Sequence, residues 1–174
     1  RPHRDMYADM LRYADKLIGD LVAELDRLGL RDNTIVIVAS DNGTEKSFSA
    51  RRGGRTVAGG LYNLTEAGGN IALLFNAPKL VPGGRTLPLT DFTDLYPTLC
   101  DFAGIPLSPR YRPDGVSLAP FLRGAPGAVA PREWILNEYH TTRVVRDRQF
   151  KLYNDGRFFD ATNDPEEQHD LARR

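Results

Sequence analysis

The chain has 174 residues, 41% of them apolar and 26% charged, the make-up of an ordinary globular protein with enough length for a sizeable core. Its 23 basic side chains balance 23 acidic ones, so no net field draws it to nucleic acid or to an anionic membrane surface. The lone cysteine, Cys100, excludes an intramolecular disulfide and a cysteine-ligated metal cluster, and no apolar run is long enough to span a bilayer.

The chain opens abruptly at Arg1-Pro2-His3-Arg4, without a visible signal peptide and within a few residues of a helical pattern. Such a start suits a piece of a longer protein. From Asp5 to Leu28 the apolar residues Met6, Met10, Tyr13, Leu17, Leu21, Leu25 and Leu28 recur at i, i+3/i+4, which predicts one amphipathic helix ended by Gly29. A turn at Asp32-Asn33 leads into Thr34-Ile35-Val36-Ile37-Val38-Ala39. This β-branched run is typical of a strand buried on both faces of a parallel sheet.

After Ser40-Asp41-Asn42-Gly43 a loop of about 25 residues rich in Gly, Ser, Arg and Thr is expected, up to Asn70, followed by a second buried strand at Ile71 to Phe75. Pro78 to Pro88 is a Pro/Gly-rich connection. Thr90-Asp91 can cap a helix running to Ala103 and stopped by Gly104, with a kink or break expected at Pro97. Cys100 reads as a small buried apolar residue of that helix. Ser108 to Pro131 reads as a Pro-rich linker with a helical turn at Ser117 to Leu122.

Residues 133–139, 141–146, 149–153 and 157–160 are then short strand-like segments, the last two joined by a hairpin at Asn154-Asp155-Gly156. Asp164-Pro165-Glu166-Glu167 has the signature of a final helix start. The expected class is α/β, with residues 1–125 forming an α/β portion and 126–174 an antiparallel meander with a terminal helix.

Asp41-Asn42-Gly43 follows directly after the first strand, where side chains of open α/β sheets converge on ligand crevices. A carboxylate beside an amide carbonyl supplies two hard oxygen donors, as Ca²⁺ or Mg²⁺ requires. Asp-Asn-Gly is equally a good turn sequence that needs no metal. The histidines His3, His140 and His169 are too widely spaced to form a ligand pair; His140 falls at a hairpin tip, a candidate substrate contact or simply an exposed turn residue, and His169 reads as a surface residue. Glu66 reads as a residue that fixes its Gly-rich loop by hydrogen bonds.

The chain resembles the sulfatase family, on motifs that run in order along nearly its whole length. Tyr13-Ala14-Asp15-Lys16-Leu17-Ile18-Gly19, Asn33-Thr34-Ile35-Val36-Ile37 and Ser40-Asp41-Asn42-Gly43 match one family stretch. Gly54-Arg55-Thr56-Val57-Ala58-Gly59-Gly60 and Thr65-Glu66-Ala67-Gly68 resemble its second signature. Thr93-Asp94-Leu95-Tyr96-Pro97-Thr98-Leu99, Ala103-Gly104 and Asp114-Gly115-Val116-Ser117-Leu118 match a further run, and Phe150-Lys151-Leu152-Tyr153 with Asp164-Pro165-Glu166-Glu167 and Asp170-Leu171 matches its ending.

The resemblance implies part of an alkaline phosphatase-like sheet with flanking helices, plus a small C-terminal antiparallel β subdomain. It implies a parent that hydrolyses sulfate esters of a small molecule or glycan, with Ca²⁺ (or Mg²⁺) held partly by Asp41 and Asn42. The family's formylglycine nucleophile arises within C/S-x-P-x-R, a motif this chain lacks; Cys100 is followed by Asp101-Phe102-Ala103. The chain alone is therefore expected to be inactive and to bind divalent metal only weakly. Leu61 stands where the family has a sulfate-contacting Lys, so either Lys46, Arg52 or Arg55 replaces that charge or sulfate binding is altered.

A phosphoester hydrolase of the same superfamily and a non-catalytic sulfatase-like binding domain are the alternatives. A periplasmic or secreted bacterial parent would suit the resemblance. Exposed sheet edges would favour self-association.

Overall fold

A computed structural model describes residues 3–84, 88–129 and 131–173, without the side chains of His3, Arg4 and Arg52. Part of the expected 78–88 connection thus lies outside the described residues. Two compact units arise: residues as far as Ser40 with Ala72–Gly83, and Asp41–Ile71 with the remainder of the chain.

In the first unit, α1 spans His3–Arg27. Its polar face carries i,i+3 and i,i+4 ion pairs such as Lys16–Asp20 (2.5 Å) and Arg27–Glu24 (2.6 Å). Gly29 ends the helix at φ 68°, where the N–H groups of Leu30 and Gly29 reach back to the carbonyls of Leu25 and Asp26. This is the paired bonding of a Schellman cap, which needs a left-handed residue. The apolar stripe of α1, from Met6 through Met10, Tyr13, Leu17 and Leu21, is exposed.

β1 (Val36–Ala39) pairs with β4 (Leu73–Asn76), matching Ile37 with Phe75 and Val38 with Leu74. The pairing is antiparallel, and β1 is half-buried rather than sealed on both faces. An apolar β-branched run reports burial potential but not the direction of its neighbour, and among the described residues β1 has a single ladder partner.

In the second unit, the expected long loop contains structure of its own. β2 (Ser49–Arg52) and β3 (Arg55–Ala58) form a hairpin across Gly53-Gly54, both at positive φ (57° and 82°). Two consecutive left-handed residues favour Gly-Gly, and the resulting turn matches the twist of its strands. A short helix, α2 (Glu66–Gly69), follows Thr65. There Asn63 Oδ1 accepts from both the N–H and the hydroxyl of Thr65 (3.1 and 2.6 Å).

A 3₁₀ turn at Phe92–Asp94 leads into α3 (Leu95–Ala103). Pro97 does not break it. The residue sits in the first turn, where backbone N–H groups have no intrahelical acceptor to lose. Cys100 is only partly buried. The helix ends in a left-handed Gly104, with Ile105 N–H bonded to Cys100 O at 2.9 Å.

Asp94, fully buried, accepts from Arg132 Nε (2.8 and 2.9 Å), from Val116 N–H (2.8 Å) and from Asp91 N–H (2.8 Å). The hydrogen bond to Asp94, and its negative charge, raise the pKa of the Arg132 guanidinium. Buried Thr98 donates to Asp94 O (2.6 Å) and accepts from Leu118 N–H (2.8 Å). These bonds tie α3 to the segment before α4 (Ala119–Leu122), whose place agrees with the expected helical turn. Gly115 is required there, because a Cβ would stand 1.9 Å from Thr93 O.

The last strands are β5 (Ile135–Tyr139), β6 (Thr142–Arg146), β7 (Phe150–Tyr153) and β8 (Phe158–Asp160), paired in order as an antiparallel meander. Alternation gives the sheet two faces. The inner face holds Ile135, Asn137, Val144, Arg146, Lys151, Tyr153 and Phe159; Val144, Tyr153 and Phe159 form the core, with Leu64 packed on it. Leu136, Val145 and Leu152 lie exposed on the outer face.

Among the described residues after Asp164 the expected terminal helix does not form. Turns follow Asp164, and a 3₁₀ turn appears at Leu171–Arg173. Glu167 adopts φ 55°, which no α-helix accommodates, and the Asp164 carboxylate takes up the N–H groups of Gln168 and His169.

Candidate functional site

Asp41 and Asn42 are exposed on a bend two residues past β1 in the chain. Close backbone packing anchors the residues next to them. Gly43 N–H donates to Gly68 O at 2.9 Å, and a Cβ on Gly43 would sit 1.9 Å from Ala67 O. Gly60 is equally constrained, its added Cβ falling 2.3 Å from Ala67 C and Gly68 N, and Gly68 would strike Asn63 O at 2.1 Å. Three backbone segments thus meet where only glycine fits. Leu61 N–H donates to Thr44 O at 2.9 Å, and Gly59 N–H to Phe48 O at 2.8 Å, so the Leu61 backbone runs beside the residues just after Asn42.

On its other side the 60–69 turn is fastened to the meander by ions. Glu66 Oε1 accepts from Arg146 Nη1 at 2.7 Å and lies 3.4 Å from Lys151 Nζ. Lys151, only 2% exposed, donates to Leu64 O (2.5 Å) and to Glu167 Oε1 (2.8 Å), while Tyr153 OH donates to Glu167 Oε2 (2.6 Å). Two cations face two carboxylates, so the cluster is locally neutral, as buried charge must be. Burial, then the Glu167 carboxylate, push the Tyr153 hydroxyl far above its usual pKa, which keeps it a donor. Glu66 therefore holds its loop by hydrogen bonds and ion pairing, as its place after a Gly-rich segment suggested.

The sequence-derived candidates separate. Asp41, Asn42 and the Leu61 backbone lie along neighbouring segments, and Leu61 itself is half-buried. Arg55 is exposed at the tip of the β2–β3 hairpin, opposite Arg52, whose side chain lies outside the described residues. Arg51 Nη2 donates to Gly54 O at 3.4 Å, and Lys46 is exposed. His140 is exposed at the β5–β6 turn with φ 55°, its ring edge-on to Tyr139 at 4.3 Å. His169 is exposed beside Asp164.

Among the described residues no group of three or more His, Cys, Asp or Glu side chains could hold a metal ion. A Ca²⁺ shell takes six to eight oxygens. Asp41 and Asn42 fit as an oxygen-donating part of such a shell and not as the whole of one.

The buried cluster was not anticipated as a unit. Its signal was parity: in Phe150-Lys151-Leu152-Tyr153 the apolar Leu152 is exposed and Lys151 is buried, the reverse of what hydropathy suggests. The buried Asp94–Arg132 pair left no such mark.

Comparison with known proteins agrees with this architecture. The sulfatase family model matches residues 1–105, more than half of the sequence, and the chain belongs to the sulfatase family. It is 30% identical over 191 residues to arylsulfatase K of Bos taurus, covering 98% of this chain and 33% of that protein. Choline-sulfatase of Rhizobium meliloti is 30% identical over 187 residues, with 99% and 33% covered. The crystal structure of Ps i-CgsB superposes with a TM-score of 0.79 at 28% identity, over 99% of this chain and 40% of that one. PsFucS1 sulfatase from Pseudoalteromonas sp. shares the fold, with a TM-score of 0.75 at 22% identity over 94% and 38%. The chain thus spans about a third of the length of the curated relatives it matches.

No described helix is long and apolar enough to cross a membrane.

Proposed function

We propose that this chain is the C-terminal part of a metal-dependent sulfate-ester hydrolase and contributes Asp41 and Asn42 to its metal shell. The observation that carries the reading is the glycine-only packing of Gly43, Gly60 and Gly68, which fixes the Asp41-Asn42 bend against the Leu61 segment in a chain of sulfatase ancestry. The metal, with Ca²⁺ favoured by hard neutral and anionic oxygens, would act as a Lewis acid on a sulfate oxygen. Asp41 would bring the negative charge and Asn42 a neutral carbonyl. The nucleophile, a formylglycine in this family, would come from a segment outside this chain, so the chain alone would not turn over substrate. The names of the relatives, arylsulfatase and choline-sulfatase, support a sulfate ester as the substrate class.

Leu61 favours a variant of this reading in which the sulfate is held differently. A half-buried aliphatic side chain there supplies no charge, and Arg55 stands at an exposed hairpin tip.

The test is turnover of matched sulfate and phosphate monoesters by the full-length protein carrying this chain, with and without a calcium chelator. Hydrolysis of the sulfate ester that the chelator abolishes is the expected result; hydrolysis confined to the phosphate ester would overturn it. Replacing Leu61→Lys is expected to lower KM for a small sulfate ester about tenfold, the effect of roughly 1.4 kcal/mol of added ion binding. An unchanged KM in a protein with ordinary sulfatase turnover would contradict the altered-site variant.

A further inference from the structure

The β2–β3 ribbon stands on a firm base and has little above it to hold it. At its foot Gly59 N–H donates to Phe48 O, Leu61 N–H donates to Thr44 O, and a Cβ on Gly59 would lie 2.1 Å from Glu45 O. Beyond that foot, among the described residues, β2 and β3 have only each other as ladder partners, and no other helix or strand packs extensively on them. Val57 is half-buried and every other described residue of the ribbon is exposed. A two-stranded ribbon without a third strand or a core is marginally stable in water, so it opens far more often than the whole protein unfolds.

The tip adds what an endoprotease reads. It runs Arg51-Arg52-Gly53-Gly54-Arg55, and its apex bond, Arg52–Gly53, has an arginine before it and two residues without side chains after it. A Cβ added to Gly53 or Gly54 would meet nothing within 4 Å, so the turn projects into open space. Exposed tips of small and polar residues are where chains are nicked, and an acidic specificity pocket takes arginine ahead of the cut. Arg123, Arg132 and Arg146 are instead engaged across elements by Asp101, Asp94 and Glu66.

We infer that the Arg52–Gly53 bond is a proteolytic processing site, at which an arginine-specific serine endoprotease converts the protein to a two-chain form that stays assembled. One water adds across the amide: its oxygen goes to the Arg52 carbonyl carbon, leaving a carboxylate, and both its protons go to the Gly53 nitrogen, leaving an ammonium. The pieces remain joined by structure that spans the cut. β1 precedes it and β4 follows it, and the two stay paired from Val36–Asn76 to Ala39–Leu73. Ser40 N–H still donates to Ala72 O, and Gly43 N–H to Gly68 O. The ribbon is thus a connector that can be severed while the Asp41-Asn42 bend keeps its anchors.

The test treats the full-length protein under native conditions with trypsin and, in parallel, with proteinase K, which cuts without need of arginine. Mass spectrometry of the first products is expected to show Gly53 as the new N-terminus with trypsin and a cut within residues 49–58 with proteinase K. The two pieces are expected to co-elute in size exclusion and to separate in urea. The triple variant Arg51→Gln, Arg52→Gln, Arg55→Gln is expected to slow trypsin at the tip about a hundredfold, with the thermal midpoint and the proteinase K cut unchanged. A first trypsin cut at any other bond, or a first proteinase K cut outside the ribbon, would overturn the processing site. Pieces that part without denaturant would overturn the two-chain form.

Discussion

The two sides of the 60–69 turn use polar residues in opposite ways. Behind it, Glu66, Glu167, Arg146 and Lys151 are largely removed from water and bonded to one another, to Tyr153 and to the Leu64 carbonyl. In front of it, Asp41, Asn42 and Tyr62 are exposed on backbone that glycine contacts and left-handed angles hold in one shape. Buried charge here supports geometry, and the exposed side chains rest on that support. A residue can therefore fix the Asp41-Asn42 bend without lying next to it.

Substitutions behind the turn should have the largest effect on stability. Lys151→Ala would leave the Glu167 and Glu66 carboxylates short of a cation inside the sheet face, at a cost of about 3–5 kcal/mol. Urea unfolding of the full-length protein should show it as a large drop in midpoint; an unchanged midpoint would mean that the cluster does not hold the turn.

Gly43→Ala should cost about 1–3 kcal/mol or more, because an added Cβ 1.9 Å from the Ala67 carbonyl oxygen forces one packed backbone segment to shift against another. Its larger consequence should be on metal affinity, since that shift moves the Asp41-Asn42 bend. Calorimetry with Ca²⁺ alongside thermal unfolding separates the two effects.

The smallest effect is a pH dependence. The Tyr153 hydroxyl has its pKa raised by burial and then by Glu167, so its contribution to stability is fully present below about pH 10 and declines as pH rises beyond that. The thermal midpoint of Tyr153→Phe should accordingly fall less steeply than that of the unaltered protein between pH 9 and 11. Parallel curves would assign the alkaline loss elsewhere.

Much of the fold was legible because local rules decided it. The α1 periodicity and its Gly29 cap, the α3 stop at Gly104 and the Asn154-Asp155-Gly156 hairpin all depend on residues a turn apart. What escaped depended on partners distant in sequence. The direction of β4 beside β1 was one such feature. Another was the left-handed Glu167, set by Lys151 and Tyr153, which replaces the expected terminal helix. The Gly53-Gly54 hairpin was local and could have been read from its turn residues. At the site, Asp41 and Asn42 were visible as a motif, whereas Glu66 and Arg146 meet only once the meander folds against the turn.

The proposed role of Asp41 as a metal ligand of a sulfate-ester hydrolase is tested most directly by one comparison. Ca²⁺ affinity and sulfate-ester turnover would be measured together for the full-length protein and its Asp41→Ala variant. Loss of an anionic ligand should weaken Ca²⁺ binding by about a hundredfold or more and reduce turnover in step, while the thermal midpoint in chelator stays the same. Equal Ca²⁺ affinity and equal turnover in the two proteins would contradict the account.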